Sequence, residues 1–368
     1  MIRFVFLLFT TVLMSEVLQR EGFGWLEQIN GQQILHIEGT PYELGYQHGR
    51  LLKDQVAYNI HHFIDKLSSD QTPPVVQAFM QAMPEVVPCI PDSLIQEMQG
   101  IADGAEVPYE KILLLNLFPE MFHCSAITVH GKASENGTLY HARVLDYAIG
   151  GGLQNTAVAA IVKPDRGYSF LNVTYAGFIG SVTGMNDQQI ALGEIGGKGY
   201  GSWKGLPMSF LLRLVLENTA SLDEIISLLH TTPRTCEYHY IFSDGKTSRA
   251  IAVYATADQL HVIPEGAASQ FFQAQPAPLK NPPQDCLILT RWDHHDTLLS
   301  SIEADYGKMN VPKIQEAIRQ IAHPSNLHNA IFSPATLEAW ISHAGPDGEP
   351  ACNQPYHRIC LETAVSTK

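Results

Sequence analysis

Cys124 opens an alternating run, Cys124-Ser125-Ala126-Ile127-Thr128-Val129-His130. The chain then turns through Glu135-Asn136-Gly137-Thr138 and returns as Leu139-Tyr140-His141-Ala142-Arg143-Val144-Leu145-Asp146-Tyr147. Two such runs joined at Asn-Gly predict a β-hairpin. Antiparallel pairing brings the end of the second strand beside the start of the first, so the Cys124 thiol, the Arg143 guanidinium and the Asp146 carboxylate gather at one end. A thiol is nucleophilic as its thiolate and needs a base or a depressed pKa near neutrality. If the His123–Cys124 bond is cut, the freed α-amine has a reference pKa of about 7.7–8.0, against about 8.5 for the thiol. Donor and acceptor then sit in one residue. Arg143 would favour the thiolate or hold a substrate carbonyl or carboxylate, and Asp146 would hold or orient the amine. In the uncut chain the same thiol can attack the His123 carbonyl, giving an ester-like link that water hydrolyses. The structural reading of these residues is a small buried hydrophobe beside an ion pair. The spacing alone leaves both open.

The elements that must carry this site change character at Cys124. Before it, a short strand over 33–39 precedes a helix with Thr40 as N-cap, Pro41 at the first helical position and Glu43 completing a capping box. That helix runs towards residue 66, and its Gly45 and Gly49 suit close helix packing. Further helical segments are predicted over 75–82, 91–102 and 108–117. After Cys124 the segments are short, apolar and β-branched, with strands over 156–162, 168–175 and 189–193. Helices follow over 207–218 and 222–229, then strands over 238–242, 250–254 and 259–263. A loop over 273–284, helices over 290–305 and 311–321, and strands over 327–332 and 338–342 complete the pattern. Strand blocks with helices between them predict two sheets sandwiched by helical layers. No internal repeat or linker divides the chain.

The 368 residues are 45% hydrophobic and 16% charged, the composition of a packed globular protein. Asp plus Glu number 37 against 23 Lys plus Arg, a formal charge of −14, which argues against nucleic acid or an anionic membrane as main partner. Met1-Ile2-Arg3 and the apolar run from Phe4 to Met14 fit a short signal peptide, assigned to 1–18 with Ser15 the nearest small residue for cleavage. Export (periplasmic, secreted or lumenal) is the expectation. Six cysteines without tight spacing are too few for a disulfide scaffold, and Cys352–Cys360 is the nearest pair that could bridge. His61-His62, His294-His295 beside Asp293 and Asp296, and His323/His328 carry no metal-ligand spacing, so no metal is expected. Asn136-Gly137-Thr138 and Asn172-Val173-Thr174 match the glycosylation acceptor pattern, the first reading better as a turn.

The segment from Cys124 to Tyr147 resembles the start of the mature β-subunit in the choloylglycine hydrolase and acyl-coenzyme A:6-aminopenicillanate acyltransferase branch of the N-terminal-nucleophile (Ntn) hydrolases, peptidase C45 type. Arg143-Val144-Leu145-Asp146-Tyr147 is similar to the motif that closes its hairpin. The run from Gly39 to Gly49 resembles its opening motif, and Gly100-Ile101-Ala102-Asp103-Gly104-Ala105-Glu106 with Ile112-Leu113-Leu114-Leu115-Asn116 its pre-cleavage helices. Gly177-Phe178-Ile179-Gly180 and Gly184-Met185-Asn186 look like its central strands, and Thr290-Arg291-Trp292 like the start of a late helix. The tryptophan-flanked cysteine of papain-type enzymes is absent. The resemblance implies an α+β, four-layer αββα sandwich cut between His123 and Cys124. A helical 19–123 α-chain and a 124–368 β-chain would then stay together as one domain. It makes Cys124 the nucleophile, with Arg143, Asp146 and Arg291 as charged support. The family's oxyanion-donating asparagine falls in Phe271-Phe272-Gln273-Ala274-Gln275-Pro276, where Gln275 or Gln273 would substitute. Phe178, Asn186, His239 and Phe272 are assigned to the substrate pocket, with Phe118, Phe122, Tyr147 and Phe271 adding aromatic supply.

The function expected is an autoproteolytic acyltransferase or amidohydrolase acting on a linear, non-peptide amide through a Cys124 thioester. Its partners would be a small acyl amide and the two halves of its own precursor. No metal or organic cofactor is implied. The alternatives are a phospholipase B-like or ceramidase-like lipid acyl hydrolase, and a secreted binding protein whose site has decayed.

Overall fold

Thr40 accepts the Glu43 amide on its side chain while the Glu43 carboxylate accepts the Thr40 amide at 2.8 Å, so the capping box forms as the sequence predicts. The computed structural model describes residues 15–65, 74–117, 123–147, 149–197, 203–268 and 278–361. Strands β1 (Ser15–Glu21), β2 (Gly24–Ile29) and β3 (Gln32–Gly39) come first. Helices α1 (Pro41–Leu51), α2 (Lys53–Asn59, continued by a π-turn to Ile64), α3 (Pro74–Val86), α4 (Asp92–Ala105) and α5 (Tyr109–Leu117) follow. Then come β4 (His123–Gly131), β5 (Gly137–Asp146), β6 (Ala157–Pro164), β7 (Phe170–Tyr175), β8 (Thr183–Asn186) and β9 (Ile190–Gly196). The chain continues through α6 (Met208–Asn218), α7 (Leu222–Thr231), β10 (Tyr238–Asp244), β11 (Arg249–Ala255), β12 (Leu260–Ile263) and β13 (Cys286–Leu289). It ends in α8 (Trp292–Ala304), α9 (Val311–Ile321), β14 (Asn326–Ser333), β15 (Glu338–His343) and β16 (His357–Cys360).

Hydrogen bonding arranges these strands as two sheets. One runs β1-β2-β3-β6-β7-β8-β9-β10-β11-β12, the other β13-β4-β5-β14-β15-β16. A single pair, His123 opposite Gly196, joins them. All neighbours are antiparallel except β3 and β6, which run parallel. Side-chain alternation assigns the faces. On β4, Cys124 and Ala126 point between the sheets, while Ile127 and Val129 pack with Leu298, Ile302, Ile314 and Ile318 of α8 and α9. Ile34, Ile161, Val173, Phe332 and Ile341 fill another part of the space between sheets. Helices α1, α4 and α6 cover the outer face of the first sheet through Leu44, Met98, Ile101, Phe210 and Leu211. The layers are therefore helix, sheet, sheet, helix, as expected.

The glycines of α1 and α4 bring their backbones together. A Cβ on Gly45 would lie 1.9 Å from the Glu97 carbonyl oxygen, and one on Gly100 would lie 2.2 Å from that of Tyr42.

Several expectations need amending. The strand expected over 33–39 forms as β3, and two further strands before it, β1 and β2, make the piece before Cys124 part of the first sheet. Ser15–Leu18, assigned to the leader, lie at the start of β1, and residues 1–14 fall outside the described residues. Strands β8, β13 and β16 are too short to read from periodicity. All six cysteines are free, Cys352 and Cys360 included. Asn172 is buried in β7, donating to the Gly180 carbonyl at 3.1 Å, so it cannot present a glycan. Asn136 and Gly137 have positive φ and form a tight turn, the Thr138 amide donating to the Glu135 carbonyl at 3.4 Å, at the end of the 132–136 loop that joins β4 to β5. Among the described residues no helix is long and apolar enough to cross a membrane.

Candidate active site

Cys124, Leu145 and His328 stand in a row across β4, β5 and β14, each opposite the next. Arg143, two residues before Leu145, shares its face. The guanidinium turns towards Cys124 and donates through Nη2 to Sγ at 2.9 Å. Its Nε donates to the Glu194 carbonyl at 3.1 Å and its Nη1 to His328 Nε2 at 3.1 Å. The Glu194 carboxylate completes the cluster, with Oε2 at 3.4 Å from Arg143 Nη2 and 3.9 Å from Cys124 Sγ. Its Oε1 accepts the Gly196 amide. Gly193, before Glu194 on β9, leaves room for the arginine, since a Cβ there would lie 2.8 Å from Arg143 Cγ. Arg143 and Glu194 are completely buried. Such a pair is strongly interdependent, because removing either partner leaves an uncompensated charge.

Asp146 stands opposite His123 in the hairpin register, beside the bond that a cut would break. Its Oδ1 accepts the His323 amide at 3.3 Å and Asn326 Nδ2 at 3.1 Å. Burial pushes its carboxyl up to about 6, outweighing these donors and the charge of Arg143. Burial also pushes the Cys124 thiol well above its ordinary value. Arg143 and the Asp146 amide pull it down, while the Glu194 and Asp146 carboxylates push it further up. Arg143 thus lowers the thiol, and desolvation outweighs it. Cys124 is held as a thiol with two carboxylates nearby.

Beside this cluster lies an apolar cavity of about 40 Å³, walled by Phe63, Leu145, Tyr147, Leu153, Tyr175 and Phe178 among others. The turn that carries Phe178 is fixed from the helical layer. His48 on α1 accepts the Gly177 amide at 2.9 Å, and Asn116 on α5 accepts the Ile179 amide at 2.8 Å while donating to the Gly177 carbonyl at 2.7 Å. Burial and the charge of Arg213 hold the His48 imidazole down at about 4, so it stays a neutral acceptor.

The structure brings together Cys124, Arg143 and Asp146, and places Phe178 on the cavity wall. The other assigned residues stand as follows. Arg291 follows Thr290, whose hydroxyl lies 2.6 Å from that of Ser125, but its side chain is half exposed and paired with Asp293 at 2.8 Å. Asn186 spends its side chain on backbone groups: its amide donates to the Leu216 and Thr219 carbonyls at 2.9 and 2.8 Å, and its Oδ1 accepts the Gln188 and Ile190 amides. His239 is buried, with Nδ1 3.2 Å from the Gly196 carbonyl and its ring against Tyr254. Gln273, Gln275, Phe272, Phe271, Phe118 and Phe122 lie outside the described residues, as does the side chain of His123. Of the histidines considered for a metal, His328 is engaged by Arg143 and His323 by Ser325. Among the described residues no group of three His, Cys, Asp or Glu gathers to hold a metal ion.

Sequence reading missed Glu194. Its one signal was a charged residue within Ile-Ala-Leu-Gly-Glu-Ile-Gly, a run buried from end to end, where an acid must have a partner.

Residues 133–268 match the family model of acyl-coenzyme A:6-aminopenicillanic acid acyl-transferase, a stretch holding Arg143, Asp146, Tyr175 and Glu194. The resemblance read from the sequence is thereby borne out. Protein dcd1A of Dictyostelium discoideum is 25% identical over 359 residues, covering 86% of this chain and 80% of its own. The acid ceramidase of Rattus norvegicus is 27% identical over 210 residues, covering 49% of this chain and 51% of the ceramidase. The chain thus spans about half the length of that ceramidase. Among solved structures, a Caenorhabditis elegans N-acylethanolamine-hydrolyzing acid amidase ortholog superposes with a TM-score of 0.46 at 17% identity, over 64% of this chain and all of that one.

Proposed function

We propose that this relative of the acyl-coenzyme A:6-aminopenicillanic acid acyl-transferases is the precursor of a cysteine Ntn hydrolase or acyltransferase acting on linear acyl amides. The observation that carries the reading is the buried Arg143 guanidinium 2.9 Å from Cys124 Sγ, with Glu194 and Asp146 on either side. In the uncut chain the thiol passes its proton to the Glu194 carboxylate and Sγ bonds to the His123 carbonyl carbon. The bond from that carbon to the Cys124 nitrogen breaks, and the departing nitrogen takes a proton from Asp146, which is protonated below about 6. Water then hydrolyses the thioester and leaves a carboxylate on His123.

The freed α-amine of Cys124 next serves as base for its own thiol. Sγ attacks the substrate amide carbon, the amine leaves with a proton, and an acyl thioester remains for water or a second amine to release. Gln275 or Gln273 is proposed to donate to the oxyanion, and Arg143 and Glu194 hold the charges around sulfur. The apolar lining favours an aliphatic or aromatic acyl group. Export belongs to the same proposal, with removal of the leader ahead of Ser15 leaving β1 whole.

The test is the intact mass of the purified protein beside Cys124→Ala. Two pieces in the wild type, the second starting at Cys124, with an uncut variant, are expected. A wild type that stays whole, with Cys124 unlabelled by thiol reagents, favours the decayed binding protein. A second reading, lipid acyl hydrolysis, draws on the similarity to acid ceramidases and on the same apolar lining. Fatty-acid release from ceramide or phospholipid, without release from N-acyl amino acids, would select it.

A further inference from the structure

His328 is completely buried on β14, between the two sheets, and both of its nitrogens are engaged. Nε2 lies 3.1 Å from Arg143 Nη1 and 2.9 Å from the Thr183 hydroxyl, and Nδ1 lies 2.8 Å from the Tyr175 hydroxyl. A guanidinium has hydrogens and no acceptor, so Nε2 must carry the lone pair and Nδ1 the proton. Nδ1–H therefore donates to the Tyr175 oxygen. Burial first, then the charge of Arg143 and the neighbouring His343, push the imidazole well below its ordinary range. Burial and these charges therefore favour the neutral ring.

Arg143 spends Nε on the Glu194 carbonyl and Nη2 on Cys124 and the Glu194 carboxylate. His328 takes Nη1, and the rotation of the guanidinium plane is set by these four contacts together. Without an acceptor at Nε2 the guanidinium would lose the contact that fixes its Nη1 end, and Nη1 would be buried without that partner, a costly state. Tyr175 holds the imidazole in the tautomer that makes Nε2 an acceptor.

We propose that His328 is a positioning residue for the nucleophile: an acceptor, fixed by Tyr175, that aims the Arg143 guanidinium at Cys124 Sγ. The proposal rests on the reading of Cys124 as a self-cleaving nucleophile. The competing account is a core histidine that merely fills space.

The experiment compares self-cleavage rates across pH for the wild type, His328→Leu, His328→Gln and Tyr175→Phe, with thermal unfolding of each. Self-cleavage is first order in the chain's own bond, so its rate reports chemistry without substrate binding. Leucine keeps bulk and removes the acceptor, and slowing of roughly 10–100-fold with a displaced pH profile is expected, as when an orienting outer residue is lost. Glutamine offers an amide oxygen near the place of Nε2 and is expected to recover most of the rate and the profile. Tyr175→Phe, which keeps His328, should slow cleavage less and in the same direction, and it carries the test if His328→Leu does not fold. Wild-type rates in folded His328→Leu, or equal slowing in the leucine and glutamine variants with an unchanged pH profile, would overturn the proposal. A wild type that never cuts itself overturns the nucleophile reading, and this inference with it.

Discussion

Replacing Gly45 by alanine sets a known gain against a clash that can be measured. Alanine in a helix interior is better than glycine by about 0.8–1 kcal/mol. At Gly45 the new methyl carbon would sit 1.9 Å from the Glu97 carbonyl oxygen and 2.9 Å from the Ile101 amide nitrogen, both backbone atoms of α4. Ordinary contact begins near 3.4 Å, so α1 and α4 must part by an ångström or more. Parting them unpacks Leu44 and Leu51 from Met98 and Ile101. Overpacking costs about 1–3 kcal/mol, and a clash with rigid backbone belongs at the upper end. The expected net loss is about 2 kcal/mol, read as a lower urea midpoint. Gly150 is the control, because its Cβ would meet nothing within 4 Å and its φ is not positive. Gly150→Ala should leave stability unchanged or raise it by a few tenths of a kcal/mol. A Gly45→Ala protein as stable as Gly150→Ala would refute the argument that these glycines set the helix approach.

Other expectations follow from the site. Asp146 has a folded pKa of about 6, above its ordinary value of 3.8, so its contribution favours the fold below pH 4 and is lost as pH rises through 6. Asp146→Asn should remove that component from denaturation midpoints measured between pH 4 and 7, and, on the proposed mechanism, should flatten the dependence of self-cleavage on pH near 6. Glu194→Gln keeps shape but leaves Arg143 without its carboxylate, an expected loss of about 3–5 kcal/mol by urea unfolding. Because the Glu194 charge pushes the Cys124 thiol up, the same variant should shift thiol alkylation of denaturant-free protein to lower pH, whereas Arg143→Gln should shift it higher. Asn116→Leu strands the Ile179 amide and the Gly177 carbonyl, at about 1–3 kcal/mol for each buried group left unpaired. Calorimetry should register that loss, and acyl-amide turnover should fall with it as Phe178 loses its support.

Local signals carried much of the architecture. Thr40, Pro41 and Glu43 mark a helix start because each acts within one turn, and the Asn136-Gly137 corner marks the hairpin because its backbone angles exclude most residues. The hairpin register then brings Cys124 and Asp146 together without further information. Glu194 and His328 were not legible in that way. Each reaches Arg143 across strands more than 50 residues away in sequence, and neither has a local pattern that names its partner. Asn186 differs in the opposite way: it sits in a motif-like stretch, and four backbone groups close by engage its hydrogen bonds. Arg291 reaches the right end of the sandwich, yet an acid two residues on holds its side chain outward.

The parallel pairing of β3 with β6 has a consequence for the life of the molecule. Strand β3 precedes the proposed cut and β6 follows it, so a severed protein would keep the two pieces as adjacent strands, laced from Ile34 to Gly39. The continuous precursor closes this seam as one chain, at a rate that ignores how dilute it is. The severed form, once unfolded, would have to find its other half by diffusion, and recovery would depend on protein concentration. Activation would then be a commitment: the working enzyme could be worn out but not readily rebuilt.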